Sequence, residues 1–179
     1  MAKPTNIVLL GFMGAGKSSV AKELARTQGF THVDTDDLIV KNQGKTIPEI
    51  FAQEGEKCFR QYEMEAVAEA GKMSGRAIAT GGGVILNECN VEALAADGML
   101  VYLYAPIEQL LARVLSCQTV RPLAKNEEQF KKLFFSRVEL YEKLPQKVDT
   151  TGLSIEETAQ AVIALYRRLG GIAPHGCPW

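Results

Sequence analysis

The stretch Ile7-Val8-Leu9-Leu10-Gly11-Phe12-Met13-Gly14-Ala15-Gly16-Lys17-Ser18 decides the fold, because an apolar run empties into a glycine-rich turn closed by a lysine and a hydroxyl. It fits the phosphate-loop pattern GxxxxGK[ST], in the context that motif requires: a short buried strand, a turn, then a helix carrying Val20, Ala21, Leu24 and Ala25. Without a Cβ, Gly11, Gly14 and Gly16 let the backbone curl its N–H groups around a phosphate at the positive end of the helix. Lys17 then reaches the β and γ phosphates, and Ser18 offers its hydroxyl to Mg²⁺. The expected nucleotide-binding set is Gly14, Ala15, Gly16, Lys17, Ser18 and Ser19. A turn that bound nothing would need neither Lys17 nor Ser18 at its end.

With 179 residues, 46% of them hydrophobic, the chain can bury one sizeable core. A net charge of −1 argues against nucleic acid as the main partner. No stretch approaches a membrane span, and no charged-then-apolar leader precedes the first strand, so a soluble cytoplasmic protein is expected. Cys58, Cys89, Cys117 and Cys177 lack metal-site or disulfide spacing and read as reduced, mostly packing residues.

Strand-like segments at 6–10, 30–34, 77–80, 99–104 and 146–150 alternate with helix-like ones, which points to a parallel sheet flanked by helices. The first helix, 17–28, should stop at Gly29. The second strand delivers Asp34 and Asp36 at its carboxyl end, where ligands sit in an open parallel sheet. From Thr35 to Lys72 the pattern is helical, broken by Gly44 and Gly55, with a capping box at Thr46-Ile47-Pro48-Glu49 and a longer helix over about 56–72. No strand interrupts it, so it reads as an inserted subdomain over the sheet edge, a natural place for a second substrate.

The third strand runs directly into Gly81-Gly82-Gly83. Three glycines imply a backbone closely approached by something other than protein, or else a flexible connection. Helices are expected over 87–96, 106–116 and 127–141, with Phe130, Phe134 and Phe135 of the last one read as core. The polar segment 117–126 between two of them, with Arg121, is a candidate lid that would exclude water from a reacting phosphate. Ser154-Ile155-Glu156-Glu157 opens the final helix, which ends near Gly170-Gly171 and leaves a loosely held tail over 172–179.

GFMGAGKSS at 11–19, DTDD at 34–37, FRQYE at 59–63, TGGG at 80–83, VRPL at 120–123 and SRVELY at 136–141 together resemble the shikimate kinases, over about residues 3–170. The resemblance implies an α/β fold of the P-loop kinase type, close to the nucleoside monophosphate kinases. Its parts would be a five-stranded parallel sheet flanked by helices, a helical substrate-binding insertion at about 35–72 and a lid at about 117–126, in one domain over 1–171. The implied reaction transfers the γ-phosphoryl of ATP to the 3-hydroxyl of shikimate, a step toward chorismate and the aromatic amino acids.

By the same resemblance Arg60 and Arg137 grip the substrate carboxylate, as planar guanidiniums can with two parallel bonds. Glu63, one helical turn on, holds the Arg60 rotamer. Asp36 accepts hydrogen bonds from substrate hydroxyls and takes the proton of the attacking one. Asp34 stands near Mg²⁺ through water, and Gly82 and Gly83 offer backbone groups to the substrate. Lys17, Asp36 and Arg121 form the implied catalytic set, with Arg121 meeting the transferring phosphoryl on the closed lid. Many family members stack an arginine on adenine just before the lid. Here Leu115, Ser116 and Cys117 occupy that neighbourhood and the nearest cation is Arg113, a turn earlier, so no adenine contact is assigned. The partners are ATP or ADP and shikimate, with neither nucleic acid nor membrane, and a monomer is expected. Gluconate kinase is the alternative enzyme; a GTPase-type switch would want a guanine-reading NKxD motif, which the chain lacks.

Overall fold

The computed structural model describes residues 3–116 and 126–174. The expected lid, apart from Asn126, lies outside the described residues, as do Arg121, Cys117, His175 and Cys177.

Five parallel strands, β1 (Asn6–Leu10), β2 (Thr31–Asp34), β3 (Arg76–Ala79), β4 (Gly98–Tyr104) and β5 (Gln146–Asp149), form one sheet in the order β2-β3-β1-β4-β5. Each lies within one residue of its expected position. β1 and β4 are continuous apolar runs because central strands of a parallel sheet are covered on both faces. Two helix pairs supply that cover: α1 (Lys17–Gln28) packs with α9 (Ile155–Arg168), and α4 (Gly55–Gly71) packs with α5 (Glu88–Ala95). Helix α1 ends at Gly29 in the left-handed conformation, and Ser154 and Glu157 form the capping box that starts α9.

The insertion between β2 and β3 comprises α2 (Thr35–Gln43), α3 (Ile47–Gln53) and α4, with α3 opened by the Thr46–Glu49 capping box. Ile39, Ile50, Phe59 and Ala66 form a small core of their own there. Further along α4, Val67 and Ala70 join the main core under the sheet. Among the described residues no helix is long and apolar enough to cross a membrane.

Three expectations are corrected. The helix expected over 127–141 is two, α7 (Glu127–Phe135) and α8 (Val138–Glu142), following α6 (Ile107–Ser116). The Ser136 hydroxyl donates to the Leu133 carbonyl at 2.8 Å and the Arg137 amide bonds Phe134 three residues back, so the α-helical ladder ends there. That corner carries Arg137. Second, Phe130 and Phe134 are core, but Phe135 is 63% exposed because it falls on the opposite side of α7. Third, Cys58 and Cys89 are free and exposed on the outer faces of α4 and α5, so they pack nothing.

The phenylalanine contrast is testable. Phe130→Ala should destabilise the protein by about 3–5 kcal/mol, whereas Phe135→Ala should stay within about 0.5 kcal/mol of the parent. Urea unfolding midpoints of the two variants measure the difference.

Candidate active site

β1 and β3 are neighbours in parallel register, Leu9 beside Ala79, so the loops that follow them leave the same edge of the sheet together. The Leu9 carbonyl accepts from both the amide and the hydroxyl of Thr80, at 3.2 and 3.1 Å, which prolongs the pairing to the brink of both loops. One loop is the phosphate loop; the other is the triple glycine.

In the phosphate loop Gly14 and Gly16 take φ of 85°, a conformation that strains any residue with a Cβ. Gly14 also has no room for one, since it would sit 2.6 Å from the Leu110 carbonyl. Gly16 is the N-cap of α1 and no side chain caps that terminus, so the first amides face the loop. The Lys17 ammonium curls back over the same loop, donating to the carbonyls of Gly11 at 2.8 Å and Phe12 at 3.1 Å. Phe12 anchors the turn from below, with its ring edge-on to Phe130 and Phe134.

Ser18 and Asp34 meet across the edge: the Ser18 hydroxyl donates to Asp34 Oδ2 at 2.6 Å. The other oxygen of Asp34 caps α2, accepting from the Asp36 amide at 3.0 Å. Two adjacent oxygen donors suit Mg²⁺, which takes few protein ligands and relies on phosphate and water for the rest. Among the described residues no three His, Cys, Asp or Glu side chains converge on a metal position.

At Gly81 and Gly83 it is space rather than φ that calls for glycine, while at Gly82 a Cβ would make only ordinary contact. A Cβ on Gly81 would lie 2.5 Å from Asp36 Oδ1, one on Gly83 would overlap the Arg60 guanidinium, and one on Gly82 would touch Arg137 Nη1 at 3.6 Å. The three glycines thus seat, in order, Asp36, Arg137 and Arg60. The close approach expected from something other than protein is made instead by the protein's own side chains, which gather there one carboxylate and two cations.

Glu63, 1% exposed, receives Arg60 Nη1 at 2.9 Å, and Glu56 receives Nη2 at 3.0 Å, so the rotamer-holding contact expected of Glu63 is present. Burial works against the Arg60 charge, and the two glutamates more than restore it. Arg137 donates Nη1 to the Gly82 carbonyl at 3.0 Å. Burial pushes its guanidinium below the ordinary range, aided by the nearby Arg60, so an anion beside Arg137 would offset that burial.

Sequence reasoning missed residues whose partners lie far along the chain. The Thr35 hydroxyl, fully buried at the start of α2, accepts from the Gly81 amide at 2.9 Å. Tyr141 Oη donates towards Gly82 and Gly11. Arg113 straps α6 to the end of β5, donating to the Thr150 hydroxyl and carbonyl at 3.0 and 2.7 Å. Beside that strap a cavity of about 180 Å³ is lined by Gly14, Gly16, Val20, Leu153 and Ile155. The SRVELY motif marked Tyr141; nothing local marked the Arg113–Thr150 pair.

The shikimate kinase family model matches residues 13–167. A shikimate kinase of Thermodesulfovibrio yellowstonii is 43% identical over 167 residues, 92% of this chain and 96% of that one. Another, from Caldanaerobacter subterraneus, is 40% identical over 93% of this chain and 98% of its own. Among solved structures, a shikimate kinase from Acinetobacter baumannii in complex with shikimate superposes with a TM-score of 0.84 at 35% identity, covering 92% of this chain and 94% of that one. A gluconokinase from Sinorhizobium meliloti, at 17% identity and a TM-score of 0.62 over 94% and 95% of the two chains, shares the fold.

The Glu63 carboxyl, pushed up by burial with Arg60 pulling against it, makes stability depend on pH. A carboxyl raised in the folded state favours folding below its unfolded value, and that contribution is lost as pH rises through the folded one. Relative to Glu63→Gln, the parent should therefore lose thermal stability as pH climbs from about 4. Paired melting curves across that range test it, and a constant gap between the two proteins refutes it.

Proposed function

The chain belongs to the shikimate kinase family, and from that premise we propose that it transfers the γ-phosphoryl group of ATP to the 3-hydroxyl of shikimate, giving shikimate 3-phosphate and ADP. The observation that carries this reading is the seating of Asp36, Arg137 and Arg60 on three successive glycines beside the phosphate loop. Shikimate has one carboxylate and three hydroxyls. Two guanidiniums answer the first and a carboxylate acceptor answers the second.

The donor's phosphates lie in the phosphate loop, on the amides of Gly14 to Ser19 at the start of α1. Lys17 exchanges its carbonyl partners for the β and γ oxygens and follows the charge as it moves onto the leaving ADP. The base and ribose fit the hollow between the phosphate loop and the Arg113–Thr150 strap. Asp34, together with Ser18, would hold Mg²⁺, which when bound draws charge off the phosphates.

Arg60 and Arg137 fix the acid by its carboxylate, with the Gly82 and Gly83 backbone beneath it. Asp36 accepts the hydrogen bond of the 3-hydroxyl and takes its proton as that oxygen forms a bond to γ-phosphorus and the β,γ-bridging oxygen leaves. Arg121, which lies outside the described residues, is the further cation that the family resemblance assigns to the transferring group. The proposed enzyme works in the cytoplasm as a monomer.

An ADP-release assay with shikimate and gluconate side by side tests the reading, since gluconate also carries one carboxylate and several hydroxyls. Turnover with shikimate is expected, and turnover with gluconate alone would replace the reading by the gluconokinase one. Arg60→Ala should raise KM for shikimate by about tenfold or more while leaving KM for ATP within about twofold. Equal effects on both constants would remove Arg60 from the acid's site.

A further inference from the structure

Tyr141, the last residue of SRVELY, takes no part in the transfer chemistry, yet its hydroxyl lies where the two substrate sites meet. It sits on α8, 1% exposed, with its ring stacked on Tyr102 at 5.1 Å and 14°. Its oxygen is 2.8 Å from the Gly82 carbonyl and 3.2 Å from the Gly11 carbonyl. Both partners are acceptors, so the hydroxyl donates, and one hydrogen can serve only one of them fully. Burial pushes the phenol above its ordinary range, and it keeps that hydrogen at any working pH.

Each carbonyl has a second donor. Lys17 Nζ reaches Gly11 at 2.8 Å, and Arg137 Nη1 reaches Gly82 at 3.0 Å. A continuous path of hydrogen bonds therefore runs from Lys17 through the Gly11 carbonyl, the Tyr141 hydroxyl and the Gly82 carbonyl to Arg137. Its ends are the cations that, on the shikimate kinase reading, hold the donor's phosphates and the acceptor's carboxylate.

We propose that Tyr141 is a positioning residue whose single hydroxyl hydrogen, shared between Gly11 and Gly82, couples nucleotide binding to acid binding. When phosphates draw Lys17 off the Gly11 carbonyl, that carbonyl keeps a partner by taking more of the Tyr141 hydrogen. The Gly82 carbonyl then depends on Arg137, whose guanidinium is held more firmly where the carboxylate docks. Nucleotide thus tightens the acid's site, and by thermodynamic reciprocity the acid tightens the nucleotide's. The coupling rests on the shikimate kinase reading of the same site.

Calorimetric titrations of shikimate with and without saturating ADP and Mg²⁺, on the parent, Tyr141→Phe and Tyr102→Phe, test it. ADP should lower the parent's Kd for shikimate by about fivefold or more, and in Tyr141→Phe that ratio should fall to within about twofold of one. Tyr102→Phe is the control: its buried hydroxyl has no partner among the described residues, so the parent's ratio should persist. Melting temperatures taken alongside report whether each variant is folded. Independently of any variant, the methyl ester of shikimate, which lacks the charge that pairs with Arg137, should bind the parent with an affinity that responds to ADP less than the acid's does. The inference is overturned by a parent ratio near one, by a Tyr141→Phe ratio equal to the parent's, by equal loss in Tyr102→Phe, or by an ester as responsive to ADP as the acid. A parent that binds ADP but no shikimate overturns the functional reading, and the coupling with it.

Discussion

The parallel pairing of β1 with β3 is the constraint on which the rest of the molecule depends. Parallel strands carry their chains to the same edge, so the segments after Leu10 and after Ala79 must emerge side by side. One begins a helix whose exposed amides attract anions, and the other is a backbone without side chains. A phosphoryl group can pass between two bound molecules only if both are held within bonding reach, with the donor's γ-phosphorus in line. Adjacent strand ends provide that closeness before any side chain is specified. Thr80, with two bonds to the Leu9 carbonyl, keeps the loops from separating at their root.

Charge is then packed into this narrow space at a cost that the surroundings offset. Removing an ion from water costs several kcal/mol unless partners replace the lost solvation. Arg60 receives two carboxylates, one of them almost wholly buried, while Arg137 receives a backbone carbonyl. The two cations are therefore unequal. Arg60 is neutralised and held in place before any ligand arrives, and Arg137 carries the unmet demand for an anion. The glycines matter for the same reason, because side chains at 81 and 83 would collide with Asp36 and Arg60 and force the charges apart.

What was readable in the sequence follows from how local each feature is. The central strands β1 and β4 were legible because strands covered on both faces are unbroken apolar runs, and the edge strands β2 and β5 because they fall where the alternation with helices requires them. The phosphate loop was equally plain, since its spacing is its geometry. The cluster proposed for the acid was legible only as residue types joined by family resemblance: Arg60, Asp36 and Arg137 sit on separate elements, and no spacing rule brings them together. Contacts across the fold stayed invisible, the Arg113–Thr150 strap and the Tyr141–Gly11 bond among them. The Ser136 corner was hidden for another reason. Its hydroxyl competes with the helix ladder at close range, a choice that periodicity over 127–141 does not register.

The donor and acceptor sites are supported differently, and the difference bears on how they act together. Arg60 follows Phe59 on α4, a helix fastened to the insertion's small core by Phe59 and Ala66 and to the main core by Val67 and Ala70. That arginine is carried by rigid structure. Arg137 instead stands at the corner after α7, whose Phe130 and Phe134 rings meet Phe12 of the phosphate loop edge-on at 5.0 and 5.3 Å. Any shift of the loop on taking up a phosphate bears directly on these rings, since close-packed interiors transmit displacement rather than absorb it. The helix whose rings touch the loop is the one that leads into the corner carrying Arg137. Of the two cations, then, Arg60 is carried by a helix anchored in both cores, and Arg137 by the corner that follows a helix packed on the phosphate loop.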